Sequence, residues 1–336
     1  MSDFIIAGEA IAPGEKRQIQ LPVAKLYTDT EISMPIHIVR ARAPGPVLLV
    51  SAAIHGDELN GIEIIKRLIS KKIELRKGAL IAVPMVNVYG VLNQSRYMPD
   101  RRDLNRSFPG SKKGSLAGRV ANLFLEEIVS KCDYGIDLHT GAIHRSNLPQ
   151  IRADLEDEET LALAKTFGAP VVLNADLRDG SLRSAAKEEG TKMLLYEAGE
   201  ALRFDELSIR VGYQGIKKVM RYLGLIKPSR SRLKAEPFRA DKSIWVRASD
   251  SGFINHKHQL GDHVRKGDIL AEICDPFGKK LDVVKANISG VIIGKQNIPL
   301  VQEGEAVYHI AYFTEPGEVV NHIESVQEAI FPENYD

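Results

Sequence analysis

The chain has 336 residues, 44% apolar and 26% charged, with 45 basic and 44 acidic side chains and a formal net charge of +1. That balance suits a globular protein of about two domains and argues against one that works mainly by neutralising nucleic-acid phosphates. No run approaches the roughly 20 apolar residues that span a bilayer, and the N-terminus lacks a basic start followed by an apolar stretch. No nucleic-acid or membrane partner is therefore expected, and the expected setting is cytoplasmic. Cys132 and Cys274 are the only cysteines, too few for a disulfide framework, and both are expected to be reduced, buried and inert.

In chain order, residues 46–54 read as a buried strand and residues 59–69 as a helix, with Leu59, Ile62, Ile65, Leu68 and Ile69 at helical spacing. Residues 79–86 form a second strand candidate, 116–129 a helix and 134–138 a short strand. Helical spacing returns at 156–167, extended runs at 170–173 and 192–196, and a closing helix at 205–223. Strands separated by helices predict an α/β fold with a largely parallel sheet covered on both faces. The stretch 226–237 is polar, basic and carries two prolines, so it reads as a linker. From Ile244 to Tyr312 short apolar runs alternate with Gly, Asn and Asp, the pattern of a small all-β unit.

Ile54-His-Gly-Asp-Glu58 lies where an apolar strand gives way to a helix. Ligands collect at the carboxyl ends of strands in a parallel α/β sheet. His55 and Glu58 are three residues apart, and across such a turn both side chains can reach one point. His139 ends a second short strand, with Asp137 two residues before it. Two imidazoles and a carboxylate are a donor set that zinc accepts, with a fourth position left for water. Asp137 is placed to orient a ligand from outside the donor set. Each histidine taken alone also fits a hydrogen-bonded structural residue. His256 and His258 fit solvated strand or loop positions better than a metal tract.

His55-Gly-Asp-Glu58, Asp103-Leu-Asn-Arg106, Asp137-Leu-His139 and Tyr196-Glu-Ala-Gly199 follow one another in this order. Together they resemble the succinylglutamate desuccinylase/aspartoacylase family, which is related to the zinc carboxypeptidases, over residues 30–225. The resemblance implies a zinc carboxypeptidase-like mixed, mostly parallel sheet flanked by helices. It implies one Zn2+ per chain on His55, Glu58 and His139, and Glu197 as the general base. Asn105 and Arg106 match positions that grip a substrate carboxylate. Arg96 resembles an arginine that polarises the scissile carbonyl, but its interval to Asp103 is about two residues longer, so Arg101 or Arg102 is an alternative. Arg183 resembles a further carboxylate-binding arginine, again with a longer spacer.

Gly261-Asp-His-Val-Arg-Lys-Gly-Asp268 and Ala286-Asn-Ile-Ser-Gly290 resemble a biotinyl/lipoyl-type β sandwich. Lys279 lies where carrier domains bear a cofactor, but Asp275-Pro-Phe-Gly278 lacks the methionine-flanked lysine, so no modification is expected. The expected organisation is a catalytic domain at 1–230, a linker at 231–243, a β sandwich at 244–320 and a tail at 321–336. The resulting reading is a hydrolase acting on the amide bond of a small N-acyl amino acid, compatible with a homo-oligomer. The alternatives are a metallocarboxypeptidase acting on peptide C-termini and a non-catalytic binding or carrier protein.

Overall fold

A computed structural model describes residues 4–71, 73–228 and 237–312. β1 (Phe4–Ile6) and β2 (Glu9–Ile11) form a small antiparallel pair. β3 (Lys16–Lys25) and β4 (Glu31–Arg40) form a longer hairpin, in which Ile32, Met34, Ile36 and Ile38 are buried at alternate positions. β5 (Val47–Ala52), α1 (Asn60–Ser70), β6 (Ala79–Val83), α2 (Val88–Leu92) and a 3-10 turn at Leu104–Arg106 follow. Next come α3 (Leu116–Glu127), β7 (Tyr134–Gly141), β8 (Arg145–Ala153), α4 (Glu158–Phe167), β9 (Val171–Asn174), α5 (Leu182–Glu188), β10 (Lys192–Glu200) and α6 (Glu206–Tyr222). The C-terminal strands are β11 (Phe238–Ala240), β12 (Lys242–Arg247), β13 (Gly252–His256), β14 (His263–Val264), β15 (Ile269–Cys274), β16 (Lys280–Lys285), β17 (Gly290–Gln296), β18 (Leu300–Val301) and β19 (Ala306–Tyr312).

The centre of the main sheet is the parallel set β6-β5-β7-β10. Antiparallel strands extend it on both sides, with β4 and β3 beyond β6 and with β8, β17, β19 and β12 beyond β10. The protein is thus mixed α/β with an all-β region at its C-terminus. Side-chain alternation divides the core. Leu48, Val50, Ala52, Ile136, Leu138, Leu194, Tyr196 and Ala198 pack under α1, α4 and α6. Leu49, Ile81, Val83 and Met193 face the opposite way, towards α3, α5 and the N-terminal strands. That second face is also the one to which Ser51, Asp137, His139 and Glu197 belong by the two-residue period of their strands.

The C-terminal strands build a sandwich. One layer is the sheet β16-β15-β13-β18 and the other is the outer end of the main sheet, around a shared core that includes Ile254, Leu270, Ile273, Ile292, Val307 and Tyr308. The stretch 231–243, expected as a linker, divides in the structure. Residues 231–236 lie outside the described residues, while Phe238–Ala240 pairs in parallel with β9 and buries Phe238 completely. β17 then pairs with β8, so the two units share one hydrogen-bonded sheet. The tail at 321–336 lies outside the described residues. Of the two cysteines, Cys132 is buried as expected, whereas Cys274, the last residue of β15, is only partly covered and accepts from the Asn255 amide. Lys279 sits on an exposed turn whose backbone is tied to Asp275.

α1 reaches the sheet because it carries glycine at the contact. A Cβ on Gly61 would come 2.6 Å from Ala52 Cβ and 2.8 Å from Leu138 Cβ, closer than packed carbon atoms approach. Gly61→Val should therefore push α1 off β5 and β7 and destabilise the chain by about 2 kcal/mol. The urea midpoint measures this, and a midpoint equal to wild type would show that α1 has slack at this contact.

Candidate metal centre and active site

Parallel strands of equal register put their carboxyl ends side by side, and here three of them supply the site. Ser51 of β5 lies beside Asp137 of β7, and His139 of β7 lies beside Glu197 of β10. After β5 the backbone turns sharply at Ala53, with φ of 53°. The turn carries His55 and Glu58 back over the strand ends before α1 begins.

The donor set is compact and dry. His55 Nδ1 lies 2.8 Å from Glu58 Oε1, and His139 Nδ1 lies 2.7 Å from Glu58 Oε2. All three side chains are buried, Glu58 with only 2% of its surface exposed. One donor atom from each of the three falls within 4.8 Å of the others. The outer nitrogens are held by further carboxylates. His55 Nε2 is 3.1 Å from Asp103 Oδ1, and His139 Nε2 is 2.7 Å from Asp137 Oδ2. Ser51 Oγ donates to the other oxygen of Asp137 at 2.8 Å. A carboxylate on each Nε2 fixes the proton there and turns the Nδ1 lone pairs inward, as in carboxylate–histidine–metal arrangements. Two inward imidazole nitrogens and one carboxylate fit a divalent metal ion.

The electrostatics follow from this crowding. Burial disfavours the Glu58 carboxylate, but His55 and His139 outweigh it and hold its pKa well below the ordinary range. Burial also opposes a charged His139, and Asp137 and Glu58 overcome it and raise its pKa well above 6.5. His55 shifts upward in the same way, through Glu58 and Asp103 against burial. Such inward-facing negative charge is what a cation would neutralise.

A cleft of about 360 Å3 opens beside these donors. Eight residues that the sequence pointed to line it: His55, Glu58, Arg96, Asn105, Arg106, His139, Arg183 and Glu197. Arg96 donates to Asp103 Oδ2 at 3.0 Å and to Glu58 Oε1 at 3.3 Å. Arg101 and Arg102, the sequence alternatives to Arg96, are exposed and do not line the cleft. Asn105 accepts from Leu182 N–H at 2.9 Å through Oδ1, and no partner for its amide NH2 is found among the described residues. Ser181 caps α5 and sets the position of Leu182 for that bond. Arg106 is exposed and donates to the Asn105 carbonyl. Arg183 is buried, its guanidinium shared between the carbonyls of Ala175 and Asp176. Burial, then Arg152 beside it, push its pKa down to about 10.

Sequence reasoning missed one wall. Asn147 Nδ2 donates to Glu197 Oε2 at 2.7 Å, and Arg152 Nη2 lies 3.3 Å from the same oxygen. Both come from β8, a strand absent from the sequence expectation. Arg145, Arg178 and Trp245 also line the cleft. The signal available was the polar content of residues 145–152, where Arg, Ser, Asn and Gln surround Leu148 and Ile151. Asp103 was visible as part of a motif, but its contact with His55 spans 48 residues of sequence and had no local signature.

The family model for the succinylglutamate desuccinylase/aspartoacylase catalytic domain matches residues 44–223. The chain belongs to this family. The N-alpha-acetyl-L-2,4-diaminobutyric acid deacetylase of Halomonas elongata is 27% identical to this family member over 300 residues, 84% of this chain and 87% of that protein. The succinylglutamate desuccinylase of Pseudomonas aeruginosa is 32% identical over 158 residues, 44% of this chain and 46% of that protein. Among solved structures, the product-bound ectoine utilization protein EutE (DoeB) of Ruegeria pomeroyi superposes with a TM-score of 0.80 at 25% identity, covering 93% of this chain and 98% of that one. A succinylglutamate desuccinylase/aspartoacylase from Rhodobacter sphaeroides, at 24% identity and a TM-score of 0.77 over 89% of this chain and 95% of that one, shares the fold.

If the outer carboxylates set the imidazoles, Asp137→Asn should weaken the affinity for a divalent ion about 10- to 100-fold. Competition with a chromophoric chelator measures it. An unchanged affinity would mean that Asp137 does not orient His139.

Proposed function

We propose that this chain is a zinc-dependent amidohydrolase that removes the acyl group from a small N-acyl amino acid, with one Zn2+ on His55, Glu58 and His139. One observation carries the reading. Glu197 stands in register with His139 on the neighbouring strand, so a carboxylate borders the point where three metal donors converge. Two family relatives named as a deacetylase and a desuccinylase support the reaction class.

Zinc in that position supplies a Lewis acid for the acyl carbonyl and lowers the pKa of water. The chain's own groups do the rest. Glu197 takes the proton of the attacking water and returns it to the departing amine. Its Oε2 is held by Asn147 and Arg152, which leaves Oε1 for the proton. Arg96, anchored on Asp103, faces the developing negative charge on the carbonyl oxygen. The NH2 of Asn105 and the Arg106 guanidinium take the amino acid's carboxylate as a charge-assisted pair. Arg183 adds positive charge to the same inner wall. Residues 1–230 form the catalytic unit in this reading and 244–320 the β unit that completes its wall. Two unpaired cysteines support a reducing, cytoplasmic setting.

Glu197→Gln should keep the metal content of the wild type and lose about 10²- to 10⁴-fold in kcat/KM. Metal analysis beside a hydrolysis screen over N-acetyl and N-succinyl amino acids tests this. A variant within tenfold of wild type would remove Glu197 from the role of general base. Hydrolysis of peptides alone would move the chain to the carboxypeptidases.

A further inference from the structure

Glu197 stands at a break in the sheet. Towards β7, Glu197 pairs with His139 and Glu200 with Gly141, so three steps of β10 meet two of its neighbour. Towards β8, Glu197 pairs with Gln150 and Gly199 with Asn147, so two steps of β10 meet three. Irregularities of this kind bend a strand and re-aim its side chains.

The C-terminal unit closes around this break through β17 and the turn after it. Gln150, directly across from Glu197, donates through Nε2 to the Ile293 carbonyl at 3.3 Å. Gly294 pairs with Asn147. Asn297 Nδ2 donates to Glu200 Oε2 at 2.8 Å, and Asn297 N–H donates to the His144 carbonyl at 2.7 Å. His144 N–H in turn donates to Glu200 Oε1 at 3.1 Å. The residues that flank Glu197 on β8 and β10 are thus each tied to the C-terminal unit.

Asn147 is the link to the carboxylate itself. It is buried, and its Nδ2 lies 2.7 Å from Glu197 Oε2, whereas Arg152 approaches that oxygen at 3.3 Å. Asn147 has no room to retreat. Gly294 is flanked by Asn147 of β8 on one side and His309 of β19 on the other. A Cβ on Gly294 would come 3.1 Å from Asn147 Oδ1 and 3.0 Å from His309 Cβ. His309 is itself held, because its ring stacks on Trp245 with centroids 4.3 Å apart and planes 9° from parallel. The Arg145 guanidinium lies over that indole, 5.5 Å from its centroid. An added methyl at Gly294 is therefore taken up by the Asn147 amide, and turning that amide draws Nδ2 off Glu197. A misplacement of about 1 Å in a reacting group costs on the order of 100-fold in rate.

We propose that Asn147 is the positioning residue of the general base, and that β17, through Gly294, holds Asn147 in that role. The C-terminal unit then governs the chemical step at Glu197. The proposal deepens the hydrolase reading and rests on it for the role of Glu197.

Gly294→Ala should lower kcat about 10- to 100-fold and leave KM within about threefold, the pattern of an interaction realised in the transition state. Its zinc affinity, measured by chelator competition, should equal that of the wild type. Asn147→Ala should lose at least as much kcat, and Asn147→Ser, which keeps a short donor, should recover part of the loss. Because Gly294 acts through Asn147, the double variant Gly294→Ala/Asn147→Ala should be no slower than Asn147→Ala alone. A general loosening of the junction would instead multiply the two losses. In crystals of Gly294→Ala, Asn147 Nδ2 should stand more than about 3.5 Å from Glu197 Oε2, outside hydrogen-bond range. Asn297→Ala leaves Gly294 in place and cuts the separate tie to Glu200, and it should also lower kcat at constant KM. Multiplied losses in the double variant would overturn the proposal, as would a wild-type kcat in Asn147→Ala or an Asn147–Glu197 bond intact in Gly294→Ala. Absence of hydrolysis by the wild type would overturn the hydrolase reading instead, and the crystals would still decide whether β17 sets the place of Glu197.

Discussion

The Glu58 carboxylate is the constraint around which the structure is arranged. It is almost wholly removed from water, a state that an isolated carboxylate occupies only at large cost. Two imidazoles, the Arg96 guanidinium and the Thr140 N–H share the charge. Each of these needs a partner in turn, so Asp103 and Asp137 are drawn inward, and Ser51 behind Asp137. One buried charge thereby links β5, the turn before α1, the 3-10 segment at Leu104–Arg106 and β7. The partners come from stretches distant in sequence, and no fragment of this network is satisfied by itself.

Much of this was legible from residue order. The strand near residues 46–54, the helix after it and the short strand ending at His139 follow from apolar periodicity, because β5 and β7 are buried on both faces. Strand-end placement made two histidines and a glutamate a candidate donor set, and it was the ordered motifs shared with the family that singled them out. The N-terminal hairpin was missed although Ile32, Met34, Ile36 and Ile38 alternate cleanly. Pro22 and Pro35 inside its strands mask that signal. β8 was missed for a different reason. Its residues face two environments, the cleft and the core, and its register is set by three different partner strands rather than by its own pattern. Trp245 and Arg145 lie 100 residues apart, and nothing local announces that they meet.

The boundary between the two units shows the same limit. Composition marks where helices stop and short glycine-punctuated strands begin. It cannot show that β11 adds to β9 or that β17 adds to β8. Leu148, Val171, Leu173 and Phe238 pack with Val291, Ile293 and Ala311 in one cluster that belongs to both units. Such a junction holds the C-terminal unit at a fixed angle to the cleft, which a wall residue such as Trp245 requires.

The shared sheet also bears on colloidal behaviour. β8 carries Leu148 and Ile151, and along its outer half its free edge is covered by β17. Lifting the C-terminal strands away would leave a row of unpaired N–H and C=O groups beside apolar side chains, the template that exposed edges offer to other chains. The β unit therefore also guards the main sheet against edge-to-edge association, and a shortened chain lacking it would meet other copies of itself before it met substrate.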